Sequence, residues 1–508
     1  MAEGRQSRAN VDADSHSGKI QFTPGPRTHM TNKSRKFIRA RWLVLPATLA
    51  VSVATCATNP VTGRREFSLV SESQEIEMGQ QAAQEAIASI GAVPDSALQR
   101  YVSGLGMAMA RASERPNLPW TFTVVDDPMV NAFALPGGPV FITRGILAHM
   151  NSEAQLVSVL GHEIGHITAK HSVQQMSQAQ LAQIGLIAAV IAKPGLAQFG
   201  DLASQGLGLL FLKFGRDDET QADDLGFRYM TAAGYSPTEM AEMFRTLQRL
   251  GGGEEGRVPE WLSTHPDPGN RVQKTLDRVA ATSLPANMKV ERDAFLQRTA
   301  GLIFGDNPRE GFFRQNQFLH PDLRFQFDFP SGFKTQNQKT GVAGISPQQD
   351  AIIALSLAEG APNQALSQFL GQQGIQSGGA SSGAINGLTA ASATFSAQTE
   401  EGVLAGNVAF ISHDNRTFRL LAYTPQQQYN AYRGAFQQSV GSFRRLTDAS
   451  ALNAQPVRVQ LVRIPRSMTI TEFHQAYPSA IPVAEVALIN GVETNTTMPS
   501  GTLVKRVQ

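Results

Sequence analysis

The sequence predicts a multidomain chain: a mainly α-helical domain with a small β-sheet, then an α+β domain, then a small C-terminal module. Three observations carry this reading. Leu156, Val157, Val159, Leu160, Ile164 and Ile167 recur at helical spacing, the mark of a buried helix. Beyond residues 305 to 320 the period changes, and Leu323, Phe325, Phe327 and Phe329 alternate as in a half-buried strand. The last segment reads as strand, helix, helix, strand. A chain of 508 residues is also too long for one ordinary core.

Taken in order, residues 1 to 29 read as unstructured or as a start-site artefact, since Met30 begins a better signal. Lys33, Arg35, Lys36, Arg39 and Arg41 precede an apolar run from Trp42 to Ala54. That run is short for a membrane span and has the layout of a signal peptide over 30 to 55. Ser71 to Ile90 and Pro94 to Arg111 read as helices, and Trp120 to Val125 as a strand. Val130 to Thr143 reads as two extended runs around Pro136, Gly137 and Gly138. It is either an edge strand able to pair with an extended peptide or a plain surface hairpin. Ser152 and Gln155 form an S-x-x-Q capping box that opens the next helix. Residues 182 to 215 are Gly-rich and apolar; their longest uninterrupted run, Ile184 to Ala192, is too short to span a bilayer, and the segment reads as buried or lid-like. Gly251 to Gly253 separates helices. Residues 286 to 318 read as a linker. In the 319 to 446 domain, Ala351 to Leu357 is a further strand and Gly378 to Gly387 a flexible loop.

The chemistry lies in "GHEIGHITAKHS". On a helix, His162 and His166 stand one turn apart on one face, so both imidazoles can reach one ion, with Glu163 about 100° further round. This is H-E-x-x-H. With 10 histidines in 508 residues, a chance match has an expectation on the order of 0.01. The alternative is two satisfied histidines on a core helix. A catalytic zinc wants three protein ligands and an open position for water. The pattern with a third histidine after H-x-x-G-x-x is excluded, because Ala169 and Ser172 occupy its glycine and histidine places. His171, turned roughly 140° to 180° from the metal face of a continuing helix, reads as a surface histidine. Glu219 is the better candidate for the third ligand, the alternative being dipole compensation at an acidic helix N-terminus, which Asp217 and Asp218 illustrate. Glu219 lies on a second helix in an E-x-x-x-D pair, and Asp223, one turn on, can accept the outer N–H of a zinc-bound histidine. Gly234 reads as that helix's C-cap, and Ser236, Pro237 and Glu239 as the start of the next.

The ordered segments "NAFALPGGPVFITRGIL" (131 to 147), "GHEIGHITAKHS", "DETQADDLGFRYMTAAGYSP" and "STHPDPGNR" (263 to 271) resemble metallopeptidase family forty-eight. The likeness covers about residues 56 to 285. It implies a zincin-like metalloprotease domain there, with one Zn2+ per chain on His162, His166 and Glu219. It implies Glu163 as general base and Asp223 as an orienting or proton-donating partner. It also implies that His265 lies near the metal and that Arg271 belongs to the same element. The 447 to 508 segment resembles a LysM-like module through Ile489, Asn490, Gly491 and Gly501 to Val504, although Ser467 to Ile470 replaces the usual G-D-T-L start. A βααβ docking domain is the equal reading.

"VATC" (Val53 to Cys56) resembles a bacterial lipobox, with Thr55 departing from the small residue usual there. The resemblance implies a lipid on Cys56 and a periplasmic location at the outer membrane. A single cysteine excludes an intramolecular disulfide framework, and a net charge of +2 suggests no nucleic-acid partner. Together these give two readings. One is a zinc endopeptidase of envelope quality control, acting on protein or peptide substrates and touching peptidoglycan or envelope proteins through its C-terminal module. The other is a zinc-fold chaperone or scaffold lipoprotein. Intact Glu163 favours the first.

Overall fold

The computed structural model describes residues 56–179, 214–252, 260–265, 268–399 and 402–508. The signal over 30 to 55 and the apolar stretch Ile184 to Ala192 lie outside them. A short hairpin, β1 (Cys56–Thr58) with β2 (Arg65–Phe67), leads into α1 (Glu72–Ile90) and α2 (Ser96–Arg111). Ser71 and Asp95 cap these two helices, each accepting from backbone N–H groups of the first turn. Next come β3 (Thr121–Val125), β4 (Ala132–Ala134) and β5 (Pro139–Thr143), in spatial order β3-β5-β4. β3 runs parallel to β5 and β4 antiparallel to it, which leaves β4 at an edge. Gly137, at the turn between β4 and β5, has φ of 75°, and a Cβ there would fall 2.6 Å from Ile76 Cα. Only glycine satisfies both conditions.

α3 (Arg144–His149) and α4 (Glu153–Thr168) follow. After α4 come α5 (Arg216–Ala232), α6 (Thr238–Gly251), α7 (Glu260–Thr264), α8 (Pro268–Ala281) and α9 (Arg292–Thr299). Every residue of α4 from Ala154 to Thr168 is buried. Ser152 accepts from Gln155 N as the sequence predicts, but the Gln155 side chain reaches Asn151 N instead of closing the box on Ser152. Glu239 ties both elements together, accepting from Ser152 Oγ at 2.7 Å and from Gln155 Nε2 at 3.0 Å.

α4 and α5 cross at glycines. A Cβ on Gly226 would lie 3.0 Å from His162 N, and one on Gly165 3.1 Å from Ala222 O. Close-packed interiors do not absorb such an atom without moving the backbone. Gly161 meets Gly226 in the same way, at 3.2 Å.

The second domain is built on a seven-stranded antiparallel sheet and a four-stranded one, covered by helices over Pro362–Leu370 and Tyr429–Ser442. Phe325, Phe327 and Phe329 lie in its core, as their alternation predicts, with partly buried Leu323 packed against it; Phe318 joins them from the neighbouring strand. The glycine-rich stretch read as a flexible loop is instead mostly strand, Ile375–Ile385, paired with Leu388–Thr399 across a tight turn at Asn386 and Gly387. Its small residues are exposed on an edge strand, where loop-like composition is tolerated.

The C-terminal segment has the βααβ order, with Val459–Arg463 pairing antiparallel to Leu503–Val507. Its core is continuous with that of the helical domain: Ile470, Phe473, Val486, Ile489 and Val504 join Leu156, Leu160 and Ile164 in one cluster. Phe295 and Leu296 of α9, inside the stretch read as a linker, belong to it too. Lys505 is buried, and its Nζ donates to Ala148 O at 2.8 Å and Met150 O at 2.7 Å, at the end of α3. Burial pushes its ammonium pKa well below the usual lysine value. No helix among the described residues is long and apolar enough to cross a membrane.

The glycine crossing gives a direct test. Gly226→Ala should destabilise the protein by about 1–3 kcal/mol, the ordinary cost of overpacking. Gly104→Ala, on an exposed face of α2 with no atom near the added carbon, should be neutral or stabilising by up to about 1 kcal/mol. Urea unfolding of the two variants checks the pair, and equal stability would show that the crossing can relax.

Candidate metal centre

His162 and His166 project from one face of α4 toward Glu219 on α5, and His265 enters from the end of α7. All four are buried, and each offers a ligand atom within 4.8 Å of the others. Nε2 of His162 lies 3.0 Å from Nε2 of His166. His265 Nδ1 is 2.8 Å from Glu219 Oε1 and 3.3 Å from His162 Nε2.

The outer ring atoms decide which nitrogens are bare. His162 Nδ1 donates to Asp223 Oδ1 at 3.0 Å, which leaves Nε2 as an unprotonated acceptor. Asp223 is itself held by Arg271, Nε to Oδ2 at 2.7 Å and Nη2 to Oδ1 at 2.5 Å, the paired fork that guanidinium and carboxylate form. Arg271 Nη1 lies 3.1 Å from Glu219 Oε2, and the guanidinium stacks over Phe244 and Trp261. Phe214 stacks on His166 with ring centres 3.9 Å apart, and Trp261 on His265 at 4.7 Å. The centre is walled by aromatic carbon.

Burial weighs on every titratable group here. It raises Glu163, which is fully buried and whose two carboxylate oxygens have no hydrogen-bond partner among the described residues. It pushes His166 well below the ordinary histidine value. Burial would also raise Glu219 and Asp223, but His265 beside the first and Arg271 beside the second outweigh it and hold both carboxyls below the usual range. Burial likewise opposes charge on His265, yet Glu219 at 2.8 Å overcomes it and raises that pKa.

These residues fit a metal. Two imidazole nitrogens 3.0 Å apart, the Glu219 carboxylate and the His265 ring, all buried and converging, form a donor set that a cation would satisfy. Nitrogen and oxygen donors of this type suit zinc.

The structure therefore brings together His162, Glu163, His166, Glu219, Asp223 and His265. It overturns the reading of His171 as a surface residue: that side chain is 1% exposed and its Nδ1 is 2.9 Å from His166 Nδ1. The helical angle fails because α4 ends at Thr168 and Lys170 turns left-handed at φ of 61°, which swings His171 back beside the metal helix. Phe214 and Trp261 carry no sequence signal of their own. Arg271 is the buried counter-ion of two carboxylates, so Arg271→Met should cost about 3–5 kcal/mol, as when one partner of a buried pair is removed. Denaturant unfolding of the metal-free protein measures it, and a loss below 1 kcal/mol would show that Asp223 and Glu219 find other partners.

Residues 96–279 match Peptidase family M48. The chain is similar to the beta-barrel assembly-enhancing protease of Escherichia coli strain K12, 29% identical over 48% of this chain and 52% of that protein. It is 32% identical to the mitochondrial metalloendopeptidase OMA1 of Schizosaccharomyces pombe, over 42% of this chain and 64% of that one. With the metalloprotease YcaL of Escherichia coli strain K12 it shares 34% identity over 30% of this chain and 59% of the other. The chain thus spans about half to two thirds of the length of these relatives. The stretch that matches Peptidase family M48 contains helix α4, which carries His162 and His166, and helix α5, which carries Glu219 and Asp223 and packs on it.

Proposed function

We propose that the chain is a zinc-dependent endopeptidase of cell-envelope protein quality control, with one Zn2+ held by His162, His166 and Glu219. The observation that carries this is the buried group of converging donor atoms. Bound there, zinc would lower the pKa of a water toward neutrality and polarise the scissile carbonyl. Glu163 takes the water proton and returns it to the leaving amine, a role supported by its position next to His162 and by a carboxylate that makes no hydrogen bond among the described residues. Asp223 orients His162 and fixes its tautomer. Strand β4, at the sheet edge, offers an extended peptide unpaired backbone groups for β-addition.

His265 has a separate role. A catalytic zinc keeps one position open, whereas four side chains converge here. His162, His166 and Glu219 stand on two long crossed helices, and His265 alone comes from the end of the short α7. It is the group that must withdraw for substrate, and it gates turnover more than it retains metal. His265→Ala should keep stoichiometric zinc and change the rate of cleavage; loss of most bound zinc would make it a structural ligand.

The signal-like segment over 30 to 55 and Cys56 support export to the periplasm and a lipid anchor on the outer membrane. The match to a protease named for β-barrel assembly supports envelope proteins as substrates. Because the C-terminal module shares its core with the peptidase domain, only its remaining surface is available to peptidoglycan or envelope proteins, and the docking reading is favoured over a free glycan-binding module.

The decisive test separates the two glutamates. Glu163→Gln should retain one zinc per chain and lose peptide hydrolysis by about 10⁴ or more, at the upper end of general acid–base assistance. Glu219→Ala should lose metal and activity together. Asp223→Ala should fall between, at about 10 to 100-fold. Metal analysis beside peptide cleavage reads all three. Zinc lost from Glu163→Gln but kept by Glu219→Ala would reverse the ligand assignment, full cleavage by Glu163→Gln would remove Glu163 as the base, and a zinc-loaded unaltered chain that cleaves no peptide would leave the non-hydrolytic scaffold reading in its place.

A further inference from the structure

We propose that His171 is a positioning residue for the metal, fixing the tautomer and ring orientation of His166 through a direct imidazole–imidazole hydrogen bond directed by Gln221. This rests on the reading of His166 as a zinc ligand. His171 Nδ1 and His166 Nδ1 are 2.9 Å apart, with the rings edge to face at 74°. In such a contact one nitrogen carries the hydrogen and the other the lone pair. The far side of His171 settles which. Its Nε2 faces Gln221 Oε1 at 2.9 Å, with a carboxylate oxygen of Asp218 beyond at 3.8 Å. Both are acceptors, so Nε2 carries the hydrogen and Nδ1 is bare. His166 must then donate from Nδ1, and its lone pair is left on Nε2, the nitrogen that faces His162 Nε2 and Glu219.

The two histidines of the metal helix are therefore oriented by different chemistry. His162 is set by a carboxylate, Asp223, and His166 by a neutral imidazole. A carboxylate raises the basicity of the ligand it holds, whereas a neutral acceptor fixes direction and adds no charge beside a centre already carrying Glu163, Glu219 and Asp223. The supports also come from the local fold. Lys170, at φ of 61°, reverses the chain after α4 and places His171 under His166, while Gln221 lies on α5 between Glu219 and Asp223 in sequence. The same helix thus supplies Glu219, the carboxylate that orients His162 and the amide that directs His171.

The test uses the full chain and zinc alone. His171→Phe keeps a flat ring and removes the acceptor; His171→Asn returns an acceptor oxygen near the place of Nδ1. In competition with a chromophoric chelator, His171→Phe should weaken zinc by about 10 to 100-fold, and His171→Asn should recover most of that. Long-range proton–nitrogen spectra of histidine-labelled, zinc-loaded protein should show His171 as the Nε2–H tautomer. Zinc affinity of a folded His171→Phe within twofold of the unaltered chain overturns the proposal. So does an Nδ1–H tautomer at His171, a result that needs no variant to fold. His166→Ala is the control: if it keeps full zinc affinity, the ligand set itself is wrong, and that outcome is distinct from failure at His171.

Discussion

The site depends on how closely two helices approach. Glu219 and Asp223 have short reach, and they meet His162 and His166 only because α4 and α5 cross backbone to backbone. Gly161, Gly165 and Gly226 make that possible, with the carbon that any other residue would add falling 3.0 to 3.2 Å from the opposing chain. Typical helix pairs are held 8–10 Å apart by the side chains between them. Glycine costs helix stability in the middle of both elements, about 1 kcal/mol against alanine at each place. The metal geometry accounts for that cost, because alanine at any of the three would press against the facing helix and draw the carboxylates away from the imidazoles.

Once the helices are that close, the difficulty becomes electrostatic. Three carboxylates, Glu163, Glu219 and Asp223, are buried together, and burial of such charges is strongly unfavourable unless each finds a partner. Arg271 answers two of them at once, gripping Asp223 with two hydrogen bonds and standing 3.1 Å from Glu219. His265 answers Glu219 from the other side. Among the described residues Glu163 is left with no hydrogen bond. Its one ion-pair neighbour among them is His265 Nε2 at 3.7 Å, and it directly follows His162, so this carboxylate and the two histidines are fixed by the same turn of helix.

Much of this is legible in the sequence because it follows from spacing on a helix. His162, His166 and Glu163 need only the 3.6-residue turn, and the Glu219 to Asp223 interval does the same on α5. The alternating phenylalanines from 325 to 329 likewise give their strand directly. What is hidden is whatever depends on where a helix stops. His171 reads as an outward residue if α4 continues, and becomes a buried partner because Lys170 takes a left-handed turn, a conformation no pattern of polarity announces. The strand Ile375–Ile385 is hidden for another reason: its Gly and Ser residues lie exposed on an edge strand, so the strand forms without the apolar alternation that would reveal it. Phe214 and Trp261 are brought in by tertiary packing alone.

The C-terminal module illustrates how far the support of the metal helix extends. Its separation in sequence from α4 suggests an appended unit, yet its apolar residues and those of α4 form one core. Lys505 carries the contact further, its buried ammonium satisfying two backbone carbonyls that α3 leaves open at its end, just before α4 begins. At the start of α4, Glu239 holds Ser152 and Gln155, and Tyr101 donates to Glu153 at 2.6 Å. At the other end, Arg115 donates to Ile167 O at 3.0 Å while paired to buried Glu75, which also accepts from Gly137 N. The helix that presents His162 and His166 is thus pinned at both ends by buried polar groups from elements far away in the chain. Metal chemistry tolerates displacements of only about 0.5 Å in its ligands. A helix fixed at one end could still tilt; fixing both ends with groups too costly to leave unpaired removes that freedom. For this reason the strand Leu503–Val507 is as much a part of the candidate site's architecture as the helices that carry His162, His166 and Glu219.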